Sequence, residues 1–300
     1  MNLKMKILII GSSGQVGRCL KDEFLKTDFN LKFLGRDNLD ICDTSELKKI
    51  CKSYKPHFII NATAYTNVDQ AENSRDEAYQ INYHAVKSLA LICKEIDSTL
   101  IHISTDYVFD GKLTRPYKED DITNPINIYG SSKLKGENAI VSSKCKYIIL
   151  RTAWIYSEYR KNFLKTIVNL ARKRKELKII DDQHGSPTYA RHLAKAIVFI
   201  IPYINHKNNC EVYNYAGDID CSWAVFANKI INEAEKCKLI KSKPEIIKIN
   251  SSEYITLAER PINSRLNSSK FESTFVYKSS NLATGIAETL KKSLWLCFKI

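Results

Sequence analysis

Residues 6–20 read KILIIGSSGQVGRCL. The apolar, β-branched start has the length and composition of a buried strand, and the residues after the glycines switch to the spacing of an amphipathic helix. Between the two stand Gly11, Gly14 and Gly17, at i, i+3 and i+6. Glycine permits a tight turn and lets backbone N–H groups approach a phosphate at a helix N-terminus, where the helix dipole favours an anion. The spacing GxxGxxG is one residue longer than the usual GxGxxG fingerprint, but it follows a strand and opens a helix, the context that gives such a triplet meaning. The stretch predicts the first βα unit of a dinucleotide-binding domain.

Along the rest of the chain, short apolar runs alternate with amphipathic stretches. LKFLG (31–35), HFIINAT (57–63), TLIHIS (99–104) and KYIILRTAWIY (146–156) read as strands. Helical patterns lie between them at 44–55, stopped by Pro56, at 74–96, and after residue 128. Strands alternating with helices imply right-handed crossovers and a parallel sheet covered on both faces. The expected fold is therefore α/β, a doubly wound, Rossmann-like parallel sheet. Beyond residue 155 the regularity weakens, so residues 1–155 are assigned to the dinucleotide-binding domain. Residues 156–300 are assigned mainly to a smaller substrate-binding lobe, some of whose segments return to the sheet.

The end of the second strand should meet the adenosine ribose, about 20 residues past the glycines. It reads Gly35-Arg36-Asp37. An acid there binds the 2′-hydroxyl of NADH, whereas an arginine pairs with the 2′-phosphate of NADPH. Arg36 sits nearer the strand end, which predicts NADPH, with NADH tolerated.

With 300 residues, 44% hydrophobic and 26% charged, the composition is that of an ordinary globular protein. The formal charge of +13 comes from lysines spread along the whole length, and no nucleic-acid motif accompanies it, so a solvated surface is expected rather than a nucleic-acid partner. Nine cysteines are scattered without a CxxC, and the six histidines form no HExxH. That pattern predicts reduced thiols in a cytoplasmic protein and no metal. The run ILII is too short for a membrane span, and no membrane partner is expected.

Chemistry enters at YGSSK, residues 129–133, with HISTDYVFDG at 102–111 upstream. On a helix, residues i and i+4 share a face, so Tyr129 and Lys133 can present a phenol and an ammonium to the same point. A free tyrosine titrates near pH 10, and a neighbouring cation lowers that value by stabilising the phenolate. Tyr129 is thus the candidate proton donor to a carbonyl, Lys133 its electrostatic partner and a holder of the nicotinamide ribose, and Thr105 the donor of a second hydrogen bond to the carbonyl oxygen.

The blocks GSSGQVG, LDICD, NATAYTNVDQAE, HISTDYVFDG, PYKEDDITNPINIYGSSKLKGE, ILRTAWIY, NFLKTIV, DDQHGSPTY and RPINSRL, running from the N-terminus to about residue 266, resemble the extended short-chain dehydrogenase/reductases in order and spacing. Within that family the similarity is to members that reduce the 4-keto group of a dTDP-linked 6-deoxyhexulose, giving dTDP-L-rhamnose for surface polysaccharide. The resemblance implies Gly14, Gln15 and Val16 at the pyrophosphate, Asp40 and Ile41 beside the adenine, and Ala64, Tyr65 and Thr66 along the cofactor. It implies Thr105, Tyr129 and Lys133 as the catalytic trio, with Asp106 and Trp154 against the deoxysugar and Gln183 and Arg260 at the nucleotide diphosphate. The implied partner is a small nucleotide sugar, and a homodimer is compatible. A binding-only relative, the regulatory subunit of methionine adenosyltransferase, shares the glycine turn and the Tyr/Lys pair; a nucleotide-sugar epimerase on the same scaffold is the other alternative. DDQHGSPTY and RTAWIY favour the reductase.

Overall fold

The structure, a computed structural model, describes residues 4–204 and 210–297. Six strands form its main sheet: β1 (Lys6–Ile10), β2 (Asn30–Leu34), β3 (Phe58–Asn61), β4 (Thr99–Thr105), β5 (Lys146–Thr152) and β6 (Cys210–Asn214). Their order is β6-β5-β4-β3-β1-β2 and every pairing is parallel. The order reverses between β1 and β3, and in an open parallel sheet such a reversal leaves a crevice beyond the carboxyl ends of the strands. The central strands are apolar because both sheet faces are covered: Ile7 and Ile9 belong to one core, Leu8 and Ile10 to the other.

Helices α1 (Gln15–Phe24), α2 (Thr44–Tyr54), α3 (Ala85–Glu95), α4 (Ile128–Ser143), α5 (Phe163–Ala171), α6 (Ala190–Ile200), α7 (Trp223–Lys236) and α8 (Leu282–Cys297) are the longer ones. Cys19, Leu20 and Phe24 of α1 share a core with Leu193, Ala194 and Ile197 of α6. The same two helices are tied by Arg191, which donates to Asp22 at 2.7 Å, to Glu23 at 2.8 Å and to Glu158. α5, α7 and α8 pack with a two-stranded parallel pair, Glu176–Ile180 and Glu245–Ile249, around Leu164, Phe226, Ile230 and Ile286. The chain beyond residue 155 therefore builds a second lobe and also supplies the sixth strand of the main sheet and a helix packed on α1.

The expected single helix over 74–96 is interrupted. Arg75–Tyr79 is α-helical, Gln80–His84 is a π turn, and α3 comes after it. Asn82 in that turn is buried, and its amide spans the N–H and C=O of Tyr65 while also donating to Ser132 Oγ at 2.9 Å. The wider turn brings that side chain to its three partners, a use of π geometry common beside functional clefts.

Candidate active site

At the crevice between β1 and β3 lies a cavity of about 560 Å³, lined by the glycine turn, by the ends of β3 and β4, and by Tyr129 and Lys133 of α4. The turn is held by β2, whose last carbonyl, Leu34 O, accepts from Gly11 N at 2.8 Å and Ser12 N at 3.0 Å. Gly11 has φ +86°, and a Cβ there would stand 2.7 Å from the Ala62 backbone, so only glycine fits. Gly14 is the N-cap of α1 and no side chain caps that helix. Uncapped amides at a helix start, reached across glycines, are the donor set a pyrophosphate needs, so the turn fits the dinucleotide. Gln15 lines the cavity, but its side-chain amide donates to Ile155 O at 3.1 Å and accepts from Asn162 at 2.8 Å. Gln15 and Val16 therefore offer the turn their backbone. From the second lobe Arg160 donates twice to Ser13 O, at 3.0 and 2.9 Å, bringing a cation to the turn.

Arg36 and Asp40 are exposed on the loop after β2, with Asp40 Oδ1 accepting from Cys42 N at 3.0 Å. Ile41 is buried in the core beneath that loop. All three lie outside the lining of the cavity, whereas Ala64 and Thr66, after β3, are part of it, and the Tyr65 backbone is clamped by Asn82.

The end of β4 carries the chemistry. Thr105 Oγ1 donates to Asp106 Oδ1 at 2.8 Å and accepts from Tyr107 N at 3.2 Å. α4 starts at the cap Asn127, whose Oδ1 accepts from Gly130 N at 2.8 Å. A Cβ on Gly130 would meet Tyr107 O at 2.1 Å, so this glycine lets α4 press against the turn after β4 and sets Tyr129 beside Thr105. Burial pushes the Tyr129 hydroxyl up to about 12, with Thr105 opposing and the Asp106 carboxyl reinforcing. Burial also raises Asp106, to about 7, with Ser264 and Thr105 opposing, and its Oδ2 is buried without a partner.

Lys133 is engaged by β4. It is 1% exposed, donates from Nζ to Ile103 O at 2.7 Å, and lies 3.3 Å from His102 Nε2. Burial lowers its pKa to about 8, with Glu137 opposing. The expected lowering of Tyr129 by a neighbouring ammonium is not met in this arrangement: burial sets the direction, and the groups acting on the phenol beside it are Thr105 and Asp106. Tyr129 therefore carries its proton at neutral pH.

A second cavity, of about 760 Å³, adjoins the first, and Phe163 and Trp223 line both. Gln183 and Arg260 line the second. Arg260 Nη2 donates to Asp69 at 2.8 Å, while its buried Nη1 has no partner. Trp154, at φ +46°, stacks on Trp223 with ring centres 3.4 Å apart and planes within 4°, at the junction of the two cavities. Phe163 lies in the block NFLKTIV, whereas Trp223 and Arg160 carry no sequence signal. An aromatic after a Ser N-cap, or a lone arginine in a loop, carries no signal until the lobe is folded.

Among curated relatives, the dTDP-4-dehydrorhamnose reductase of Aggregatibacter actinomycetemcomitans is 38% identical over 279 residues, covering 92% of this chain and 95% of that protein. The enzyme of the same name from Escherichia coli K12 is 34% identical, covering 96% of this chain and 98% of that one. A crystal structure of dTDP-4-dehydrorhamnose reductase from Bacillus anthracis, in complex with NADP, superposes with a TM-score of 0.89 at 32% identity, covering 97% of this chain and all of that one. With residues 5–294 matched by the model of the RmlD substrate binding domain, the chain belongs to that family.

Proposed function

We propose that this protein reduces the 4-keto group of dTDP-4-dehydro-6-deoxy-L-mannose with NADPH, giving dTDP-L-rhamnose. One observation carries the reading: a phosphate-binding turn and a buried Thr/Tyr/Lys corner share one cavity, and a second cavity with an unpartnered arginine N–H adjoins it. The relatives' names and the NADP in the Bacillus anthracis structure point the same way. When bound, NADPH supplies the hydride that reduces the carbonyl carbon. The backbone from Gly11 to Gly17 holds its pyrophosphate, Ala64, Tyr65 and Thr66 flank it, and Lys133 meets the nicotinamide ribose. Arg36 pairs with the 2′-phosphate, with NADH accepted more weakly, and Asp40 and Ile41 lie toward the adenine.

Tyr129 gives its proton to the sugar oxygen, and Thr105 donates a hydrogen bond to the same atom. With its pKa pushed up to about 12, Tyr129 is fully protonated at neutral pH, and the alkoxide formed by reduction is basic enough to take that proton. Asp106 and Trp154 contact the deoxysugar; Gln183 and Arg260 hold the diphosphate, for which the guanidinium fork suits two oxygens. Among the described residues no helix is long and apolar enough to cross a membrane, and no His/Cys/Asp/Glu group could hold a metal. The free cysteines support a cytoplasmic location, and a homodimer is the assembly to test by light scattering. The test of function is turnover: the dTDP-linked ketone should cause NADPH oxidation with dTDP-L-rhamnose as product. No ketone-dependent oxidation, together with no thermal stabilisation by dTDP, would overturn it.

A further inference from the structure

His102 lies in β4 with its ring wholly buried, between Asn61 of β3 and Lys133 of α4. Asn61 Oδ1 accepts from the N–H of Thr63 at 3.0 Å and from its hydroxyl at 2.6 Å. Two donors on that oxygen fix the carboxamide orientation, so its NH2 group faces His102 Nδ1, 3.1 Å away. A donor pointing at Nδ1 requires a lone pair there, and the neutral ring must then carry its proton on Nε2. Nε2 faces Lys133 Nζ at 3.3 Å. An ammonium at that position sets N–H against N–H, whereas an amine accepts from Nε2–H and still donates to Ile103 O. Protonating the ring would keep Nε2–H and add an N–H facing the Asn61 NH2, and burial and Lys133 both hold His102 well below its ordinary pKa, so the ring stays neutral.

We infer that His102, oriented by Asn61, is a positioning residue for the reduction: its Nε2–H holds the Lys133 lone pair and so sets the pH at which Lys133 changes charge. As an amine Lys133 leaves the Tyr129 proton in place. As an ammonium it stabilises the phenolate left once that proton has gone to the sugar oxygen, and solvent supplies the replacement proton. The other charged groups around Lys133 belong to the same arrangement. Glu137, one turn along α4, favours the ammonium, but its carboxylate is already bonded to Arg151 of β5 and to Ser104 of β4. Asp106, after β4, lies at the Tyr129 end of the corner. This inference rests on the reductase reading for its catalytic consequence, but not for its tautomer.

NMR separates the two. In the full-length protein, ¹⁵N shifts of His102 should show a neutral Nε2–H tautomer throughout pH 6–9. The Lys133 ε-methylene should titrate about one pH unit lower in the wild type than in His102→Leu, which removes the opposing N–H. His102→Gln can accept from Asn61 and donate to Lys133 in the same order, and should titrate like the wild type. The basic limb of kcat/KM should follow the same pattern. A Nδ1–H tautomer, or a Lys133 midpoint that moves equally in the Gln and Leu variants, would overturn the inference whether or not turnover is seen. If His102→Leu does not fold, the wild-type tautomer and the Gln variant decide it. A purely structural role would lower stability in both variants and leave the Lys133 midpoint unmoved.

Discussion

Thr105 and Asp106, at the end of β4, and Tyr129 and Lys133, facing them from α4, are held by backbone and side chains of several elements, whereas Arg36 and Asp40, past the end of β2, stand in solvent. At β4 the supporting bonds continue inward, from Lys133 to His102 and Asn61, and from Glu137 to Arg151. At β2 the support is local: Gly35 O accepts from Asn38 N and Leu39 N, and Asp40 accepts from Cys42 N and Asp43 N, all within the loop itself. Chemistry depends on geometry fixed before the substrate arrives, and that requires a packed supporting shell. Recognition of a phosphate by an exposed arginine needs no such shell, since the ligand supplies the partner. Substitutions at β4 should therefore be felt in rate or folding, and those at β2 in cofactor choice alone.

The largest effect expected is from Tyr129→Phe, which should lower turnover by about 10³-fold while leaving NADPH affinity nearly unchanged. Steady-state rates beside a fluorescence titration of cofactor check both halves. Retention of more than a tenth of the rate would remove Tyr129 from proton delivery. Arg151→Met comes next, because it leaves Glu137 buried and without its cation; the loss of unfolding free energy in urea should be about 3 kcal/mol. Arg36→Ala in the same assay should change stability by no more than about 0.5 kcal/mol. Similar values for the two would erase the contrast between the regions.

A pH dependence arises from Asp106. Its folded pKa, raised to about 7, lies above the ordinary carboxyl range, so folding favours the protonated form. The stability it contributes is fully present below about pH 4 and is lost as the pH rises toward 7. Asp106→Asn should flatten that part of the profile in thermal melts between pH 4 and 8; an unchanged slope would assign the dependence to other groups. The smallest effect belongs to β2. Arg36→Asp should weaken NADPH by about tenfold and NADH little, since a carboxylate repels the 2′-phosphate but accepts from a 2′-hydroxyl. Equal losses for both cofactors would return Arg36 to the solvated surface.

What the sequence discloses obeys the same division. The parallel sheet was legible because buried strands and glycine spacing are local patterns, set by backbone needs at Gly11 and by two-faced burial at residues 7–10. Tyr129 and Lys133 fall together in one cavity with Thr105 because helical spacing fixes a shared face. Spacing fixes the face and leaves the rotamer open, and Lys133 is drawn to Ile103 O and His102 by contacts 30 and 31 residues away. His102 itself reads as one more position in a buried strand until Asn61 is beside it. The π turn at Gln80–His84 was hidden for a similar reason, since Asn82 finds Tyr65 and Ser132 only after folding. The pairing of Trp154 with Trp223 joins segments 69 residues apart, and neither segment announces it.

Reduction is tested at its root by the fate of the transferred hydrogen. The protein would be mixed with the dTDP-linked 4-ketone and NADPH carrying deuterium at the transferable position, and the product read by NMR and mass spectrometry. A reductase places one deuterium at sugar C4 for each cofactor oxidised, and Tyr129→Phe should suppress both signals together. Sugar product without deuterium, or an altered sugar with no net cofactor oxidation, would contradict reduction and point to epimerisation on the same scaffold; no product at all would leave a binding protein.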